Sequence, residues 1–421
     1  MWLTNLKILT PAGFLERGSI CIENGIIMEV KEGTAPKDAI DLGGMLALPG
    51  FVDLHGDMLE REVHPRPSAN IPHEIALCEV DKRLASSGIT TAFAAISFAW
   101  FKDHDLRSEE SARKLIKTVN SMRPDLMVDT YVHARFEITN ERAGAVLEDL
   151  LETNQIHLVS VMDHTPGQGQ YRDIEGYIDF SLEWAKRTEN GVVTREMLLK
   201  RIEKAQARPK GWEAVRRVTE LAIQRSVPLA SHDDDTVEKV QLMQSLGVQI
   251  SEFPVTMEAA THARQLGLTT LMGGPNAYRG ASHNANLSAR DAAAEGCLDM
   301  LASDYYPPGL ILAAFKMASE KILPLEAGIR MISTNPAKAI GLHDRGELAA
   351  GKRADLVLAT PAPWPRVRAT LSAGIPIYSD GLAANYSKAT LSAGRPQIAP
   401  DGPRTHRENL QLQTTTTTPQ T

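Results

Sequence analysis

The 421-residue sequence has little of what marks several classes of protein. Its cysteines are Cys21, Cys78 and Cys297, and their odd number and wide spacing argue against a disulfide framework or a Cys-based zinc site. No apolar run reaches the about 18 residues of a transmembrane helix, and no secretory signal pattern opens the chain. A net charge of -7 argues against general nucleic-acid binding. We therefore expect a soluble cytoplasmic protein that binds neither membrane nor nucleic acid, with homo-oligomerisation left open.

The pattern of apolar residues changes near residue 49. Before it, short runs such as "SICIE" and "IIMEV", separated by turn residues, predict strands. Residues 49–339 contain eight apolar runs alternating with amphipathic helical stretches, which predicts an α/β fold, a (β/α)8 TIM barrel. Strands return in "ADLVLA" and "ATLSAGIPIYS", so residues 1–48 and 340–382 are expected to form one small β-sandwich from both chain ends. Residues 383–421, rich in Pro, Gly and Thr, are predicted to be a disordered tail.

Ionisable residues stand at the ends of the predicted barrel strands, where barrel enzymes build their active sites. The first run, "GFVDLHGD", ends in His55 and Asp57, whose spacing puts both side chains on one face of the strand. Three imidazoles and three carboxylates converging on one barrel mouth would repel or desolvate one another unless a cation held them. We therefore predict a metal centre whose ligands are His55, Asp57, Glu137, His164, His232 and Asp304.

The mixture of nitrogen and oxygen ligands favours Zn²⁺, with Mn²⁺, Fe²⁺ or Ni²⁺ as alternatives. Six ligands are enough for two divalent ions, and Glu137 is a suitable bridge between them. A lone buried histidine is more often a hydrogen-bonded core residue than a ligand. His133, His157 and His262 lack the strand-end placement, so we assign them to that commoner class.

Two stretches resemble the amidohydrolase superfamily: "LPGFVDLHGD" is similar to its first barrel strand, and "GELAAGKRADLVL" to its return to the sandwich. The resemblance covers about residues 1 to 380. Asp57 replaces the second histidine of the superfamily pattern, and Glu137 stands where many members carry a carboxylated lysine. These departures, with "MDHTPGQGQYRD", "SHDDDT" and "GGPNAYRGASHNANLSARD", closely resemble the PhnM-type branch of carbon–phosphorus lyase pathways. Many members place the corresponding carboxylate or lysine and two histidines on strands 4, 5 and 6, whereas Glu137, His164 and His232 fall on strands 3, 4 and 5 in this sequence. Either one strand has been missed or this branch differs.

The resemblance implies a metal-dependent hydrolase of phosphonate catabolism. It would convert α-D-ribose 1-methylphosphonate 5-triphosphate and water to the 5-phosphate and pyrophosphate through a metal-bound hydroxide. Asp304 is the expected catalytic residue, accepting the proton of the attacking water. The nearest alternative is the same scaffold acting on a C–N bond, as a cyclic amidase, deacetylase or deaminase. A metal-free scaffold protein is the rival from another class.

A second layer of residues, in the loops after the strands, fits an anionic ribosyl triphosphate. Guanidinium groups bind phosphate oxygens in pairs, and a Gly-rich loop with several hydrogen-bond donors can form an anion-binding nest. The stretch "GGPNAYRGASHNANLSA" is such a loop, although it lacks the GK[ST] ending of a P-loop. A single surface arginine is more often solvated, so only the set of basic residues together indicates an anionic substrate. The predicted substrate-binding residues are Arg61, Arg135, Arg172, Lys210, Arg279, His283 and Asn284.

Overall fold

The structure, a computed structural model, describes residues 1–33, 35–66, 69–99, 106–188, 193–282, 286–362 and 364–381. His283, Asn284 and the predicted tail at 383–421 lie outside the described residues. The strands, in chain order, are β1 (Trp2–Thr10), β2 (Gly13–Glu23), β3 (Ile26–Glu32), β4 (Ile40–Asp41), β5 (Leu46–Pro49), β6 (Phe51–Gly56), β7 (Ile89–Phe98), β8 (Asp129–Glu137), β9 (Leu158–Met162), β10 (Leu229–His232), β11 (Ile250–Glu252), β12 (Thr269–Gly273), β13 (Met300–Ala302), β14 (Leu356–Thr360), β15 (Arg366–Ser372) and β16 (Ile375–Ser379).

Helices alternate with the strands of the central part of the chain. In chain order they are α1 (Met58–Val63), α2 (His73–Ser86), α3 (Glu109–Met122), α4 (Ala143–Glu152), α5 (Ile174–Thr188), α6 (Arg195–Gln206), α7 (Trp212–Gln224), α8 (Val237–Ser245), α9 (Met257–Gln265), α10 (Gly274–Arg279), α11 (Ala289–Ala294), α12 (Gly309–Ser319), α13 (Leu325–Arg330) and α14 (Thr334–Ala339). Short 3-10 turns lie at Arg123–Asp125 and Gly169–Tyr171. None of the described helices has both the length and the apolar character needed to cross a bilayer.

Strands β6 to β13 form an eight-stranded parallel sheet in strict chain order. The sheet closes between its first and last strands, where Gly56 bridges Asp304 and the Asp304 amide donates to the His55 carbonyl at 2.9 Å. All ten residues of β7 are buried, as expected for a strand covered on both faces. The predicted barrel is thus confirmed with its eight strands, so no strand escaped the count.

Both chain ends build the second sheet, which has the order β16-β15-β14-β5-β1-β2-β3, with β4 paired to β1. The N-terminal and C-terminal parts join through antiparallel β5 and β14, where Leu48 lies opposite Val357. This sheet has its own apolar core, which includes Leu6, Ile20 and Leu371. The expected β unit from both chain ends is therefore confirmed, and it consists of one continuous sheet. We propose residues 48 and 340 as its boundaries with the barrel.

Helices α5 and α6 form an insertion between β9 and the barrel helix α7. They pack on each other through a small separate cluster of Ile178, Leu198 and Ile202. The α6 helix begins after Thr194, whose hydroxyl accepts a hydrogen bond from the Met197 amide at 3.2 Å. The Gln206 side chain then donates to the Pro166 carbonyl at 2.9 Å, which ties the end of α6 to the loop after β9. The insertion is thereby fixed over the C-terminal end of the barrel.

Candidate active site

A cavity of about 820 Å³ opens at the C-terminal ends of the barrel strands. It is the place where parallel strands present their last side chains, as the sequence pattern predicted. All six predicted metal ligands line this cavity, namely His55, Asp57, Glu137, His164, His232 and Asp304. These six side chains stand at the ends of strands that are distant in the chain, and together they form the floor of the cavity.

One buried carboxylate holds two of the histidines. The Nδ1 nitrogens of His55 and His232 lie 2.8 Å from the two Glu252 oxygens, and the carboxylate must accept both bonds. The His232 Nε2 atom in turn accepts from the Arg135 guanidinium at 3.1 Å. Glu252 therefore fixes both rings in the tautomer that leaves Nε2 as a lone-pair donor, the form in which an imidazole binds a metal.

A second group lies beside the first. His164 Nδ1 is 2.8 Å from a Glu137 oxygen, and its Nε2 atom is 3.5 Å from Asp233 Oδ2. The same Asp233 oxygen is 3.7 Å from His232 Nε2. Since His232 belongs to both groups, the floor is one continuous cluster of imidazoles and carboxylates. His55, His232 and Glu252 form one geometric set that could hold an ion, and His164, His232 and Asp233 form another.

The closure of the barrel sets the position of Asp57 and Asp304. The Asp57 amide donates to the Asp304 carbonyl at 3.0 Å, which holds the last strand against the first. Asp304 has a φ of 55°, and Asp233 and Phe253 take similar values just after β10 and β11. Left-handed conformations are uncommon for residues other than glycine and concentrate at functional sites. The backbone here turns sharply at the strand ends and directs the side chains into the cavity.

Burial and charge shift the proton affinities of this floor. Burial and the neighbouring Asp57 raise the pKa of Asp304 to about 7. Burial alone would raise the pKa of Glu252, but His55 and the other imidazoles hold it well below its usual range. Burial also raises the pKa of Asp233 to about 6. Carboxyl groups with such strongly shifted pKa values at the floor of a cavity are typical of an active site.

The residues of the floor fit divalent cations. Five carboxylates, from Asp57, Glu137, Asp233, Glu252 and Asp304, lie at this floor beside the Arg135 guanidinium. Among the described residues, the buried Asp57 Oδ1 and Asp233 Oδ2 atoms have no hydrogen-bond partner. A buried carboxylate oxygen without a donor is costly, and a bound cation would satisfy it. The donor set, neutral imidazole nitrogen plus carboxylate oxygen, suits a transition-metal ion.

Two members of this floor were missed by the reading of the sequence. Asp233 directly follows His232 in "SHDDDT", and Glu252 is the last residue of β11 in "VQISEFPV". The rule that selected the other residues, an ionisable side chain at a strand end, would have found Glu252 as well. His133, assigned to the core from its sequence position, is buried between the Leu54 carbonyl at 3.0 Å and the Ser160 hydroxyl at 2.9 Å.

The predicted substrate-binding residues divide into three groups. Arg61, Arg135 and Arg279 line the cavity. Arg172 lies instead in an adjoining pocket of about 410 Å³, and Lys210 pairs with Asp163 at 2.7 Å, so the structure brings neither of these two into the cavity wall. His283 and Asn284 fall outside the described residues. The cavity wall also contains four cations that the sequence did not single out, namely Arg107, Arg201, Lys204 and Arg208.

Comparisons with known proteins agree with this architecture. A sequence profile described as "Amidohydrolase family" matches residues 188–395. The α-D-ribose 1-methylphosphonate 5-triphosphate diphosphatase of Escherichia coli (strain K12) is 34% identical over 366 residues, covering 85% of this chain and 95% of that protein. A dihydroorotase of Geobacter sp. (strain M21) is 25% identical and covers 86% of this chain and 90% of its own length. The N-acetyl-D-glucosamine-6-phosphate deacetylase of Mycobacterium smegmatis shares the fold, with a TM-score of 0.60, 16% identity and coverage of 90% and 100%.

Proposed function

This chain belongs to the amidohydrolase family, in its branch of α-D-ribose 1-methylphosphonate 5-triphosphate diphosphatases, and we propose that it hydrolyses that triphosphate to the 5-phosphate and pyrophosphate. One observation supports the phosphate substrate above all. A floor of imidazoles and carboxylates lies in the same cavity as seven basic side chains, those of Arg61, Arg107, Arg135, Arg201, Lys204, Arg208 and Arg279. The protein has a net charge of -7, yet these seven basic side chains lie around one cavity. Such a local concentration of positive charge is suited to binding a polyanion.

Members of the family generally depend on a metal, and we propose two divalent ions here, with Zn²⁺ favoured. His55, Asp57, Glu137, His164, His232 and Asp304 would hold them. Bound cations of this kind supply an activated water and neutralise charge on phosphoryl oxygens. Glu252 would act through the two histidines that it orients, because its oxygens are already engaged by their Nδ1 atoms.

The side chains of the cavity account for the remaining chemistry. Water adds its oxygen to the α-phosphorus, the bond from that phosphorus to the α–β bridging oxygen breaks, and pyrophosphate leaves. The Asp304 carboxylate takes the proton of the attacking water and returns it to the leaving pyrophosphate. Arg61 and Arg279, at the cavity wall, would neutralise the anionic substrate, and Arg135 would do so closest to the histidines.

Cleavage of a C–N bond is the second candidate, because the dihydroorotase relative and the deacetylase neighbour share this architecture. The floor itself suits either reaction. The seven basic side chains of the cavity wall favour the triphosphate, since a cyclic amide or urea carries much less negative charge.

Phosphorus NMR of the purified, metal-loaded protein tests the proposal directly. The substrate is α-D-ribose 1-methylphosphonate 5-triphosphate, and the expected products are pyrophosphate and the ribosyl 5-phosphate. Dihydroorotate and hydantoin serve as parallel C–N substrates. Release of orthophosphate alone would contradict cleavage between the α and β phosphates. Turnover of the cyclic compounds with no change in the triphosphate would support the second candidate instead.

A further inference from the structure

One segment of the cavity wall carries an unusual concentration of positive charge. Arg201 and Lys204 stand one turn apart on α6, and Arg208 follows two residues after the helix ends. Side chains three apart on a helix share a face, and all three residues line the cavity. The insertion that sits over the barrel therefore presents three cations to the site within eight residues of chain.

Two of these cations differ from their neighbours on the helix in their pairing. Among the described residues, neither Arg201 nor Lys204 has an ion-pair partner, whereas Lys200 on the same helix pairs with Glu196 at 2.8 Å and Arg195 with Glu175 at 2.6 Å. The helix that carries them is fixed by its apolar cluster and by Gln206. Unpaired cations that line a cavity, on a helix held in place by packing, are suited to binding an anion from solution.

The other cations of the cavity wall come from separate parts of the chain, and several already contact other side chains. Arg107 donates to Glu60 at 2.8 Å, Arg135 donates to His232, and the Arg61 guanidinium lies 5.5 Å from the centre of the Tyr305 ring. Among the described residues of the segment between β12 and α11, Arg279 at the end of α10 is the one cation in the cavity lining. The clustered cations and the single cation thus come from different elements, α6 with the residues just after it and α10.

We propose that Arg201, Lys204 and Arg208 bind the β and γ phosphates, the part of the substrate that leaves as pyrophosphate, and that Arg279 receives the phosphonate end. This assignment rests on the proposed function and follows from charge matching. The two terminal phosphates together carry about three negative charges, whereas an esterified phosphonate carries about one. Three clustered cations match the first group, and one guanidinium matches the second.

Calorimetric titration of the full-length, metal-loaded protein with inorganic pyrophosphate tests the assignment. Arg201→Ala and Lys204→Ala should each weaken pyrophosphate binding about tenfold, as expected for loss of one charged contact, and the double variant should weaken it further. Lys200→Ala is the matched control, because it removes the same charge from the same helix outside the cavity lining. It should bind pyrophosphate like the parent. Metal content measured on each sample must be equal.

The second probe is ethyl methylphosphonate, a monoanionic phosphonate ester, used as a competitor of turnover. Arg279→Ala should raise its inhibition constant about tenfold and leave pyrophosphate affinity unchanged. The reverse pattern, with Arg279→Ala losing pyrophosphate and the α6 variants losing the phosphonate, would overturn the assignment. So would a double α6 variant that binds pyrophosphate as tightly as the parent protein does.

These measurements separate the inference from the proposed function. Pyrophosphate binding needs no turnover, so an α6-dependent affinity in a protein that leaves the ribosyl triphosphate intact would refute the substrate and support the pyrophosphate subsite. Hydrolysis of the triphosphate by the parent protein, with pyrophosphate affinity and KM unchanged in the double α6 variant, would refute the subsite and support the substrate.

Discussion

At the scale of single residues, Glu252 decides how the two central histidines can act. Its two oxygens accept from His55 and His232, which belong to the first and fifth barrel strands. Both imidazoles therefore present Nε2 to the cavity, and neither can change tautomer without losing a buried hydrogen bond. A carboxylate is required in this geometry, because the two rings bond to its two different oxygens and an amide would place an NH₂ group at one of them.

Glu252→Gln should reduce metal affinity about 10- to 100-fold, the range typical for loss of a partner that orients a ligand. The amide can accept from only one ring, and its NH₂ group forces the other imidazole to carry its proton on Nε2. Metal content is measured after dialysis against a series of chelator buffers. The control is Glu258→Gln, at an exposed position on α9, which should bind metal like the parent. Equal metal content in the two variants would show that Glu252 does not orient the ligands.

Asp304→Asn should lower turnover about 10²- to 10⁴-fold, because an amide cannot accept the proton of the attacking water. Asparagine tolerates the left-handed backbone conformation, with its φ of 55°, so the main-chain bonds that close the barrel should persist. Pyrophosphate release measures activity, and the thermal midpoint checks the fold. Metal content is expected to fall as well if Asp304 is a ligand. Turnover at the parent rate would remove this residue from the proton transfer.

At the scale of elements, the site depends on the passage of the chain from one sheet to the other. Gly50 lies between β5 of the terminal sheet and β6 of the barrel, and its amide donates to the Asp355 carbonyl at 2.9 Å. A Cβ atom at this position would collide with the Thr90 side chain and lie 2.8 Å from Asp355 Cβ. The glycine is therefore a requirement of packing between the two units.

Gly50→Ala should lower the free energy of unfolding by about 1–3 kcal/mol, the usual cost of overpacking. Urea unfolding followed by circular dichroism measures the change. Gly273→Ala provides the matched control for stability, because there the nearest atom to an added Cβ, Asp304 Oδ2, is 3.6 Å away. If the two variants unfold at the same urea concentration, the close approach at Gly50 has no energetic consequence.

At the scale of the whole molecule, a group of charges joins the barrel to the segment that returns to the terminal sheet. Asp129, at the start of β8, lies 2.7 Å from Arg345, 2.8 Å from Arg123 and 3.3 Å from Arg353. Burial by itself would raise the pKa of Asp129, but the three guanidinium groups hold it well below its usual range. The folded state therefore binds this proton more weakly than the unfolded chain.

Asp129→Asn should cost about 1.5–3 kcal/mol of stability at pH 7, since it removes the one carboxylate that Arg345, Arg123 and Arg353 share. The pH dependence follows from the lowered pKa. The contribution is complete above the unfolded value of about 4 and is lost as pH falls towards the folded value, so the gap between parent and variant should narrow below about pH 4. Urea unfolding at several pH values measures it, with Asp125→Asn, at an exposed position nearby, as control. A gap that stays constant down to pH 3 would contradict the assignment.

The sequence alone determined the architecture and most of the candidate floor. Strand and helix periods are local, and they repeated eight times between residues 49 and 339, which leaves few folds other than a closed barrel. Because parallel strands present their C-terminal ends at one mouth, ionisable residues such as His55, Glu137 and Asp304 could be grouped without knowing any distance. The family resemblance came from long motifs that include those same strand ends.

Only the tertiary structure decided which partners these residues have. The link from Glu252 to His55 and His232 joins strands that are not neighbours, and it depends on the tilt and closure of the barrel. Likewise, the charges of Arg201 and Lys204 look like an ordinary solvated helix face in the sequence. Their place in the cavity wall arises because the α5–α6 pair packs on its own small core over the barrel mouth. Contacts between distant segments are fixed by packing, and local patterns carry no record of them.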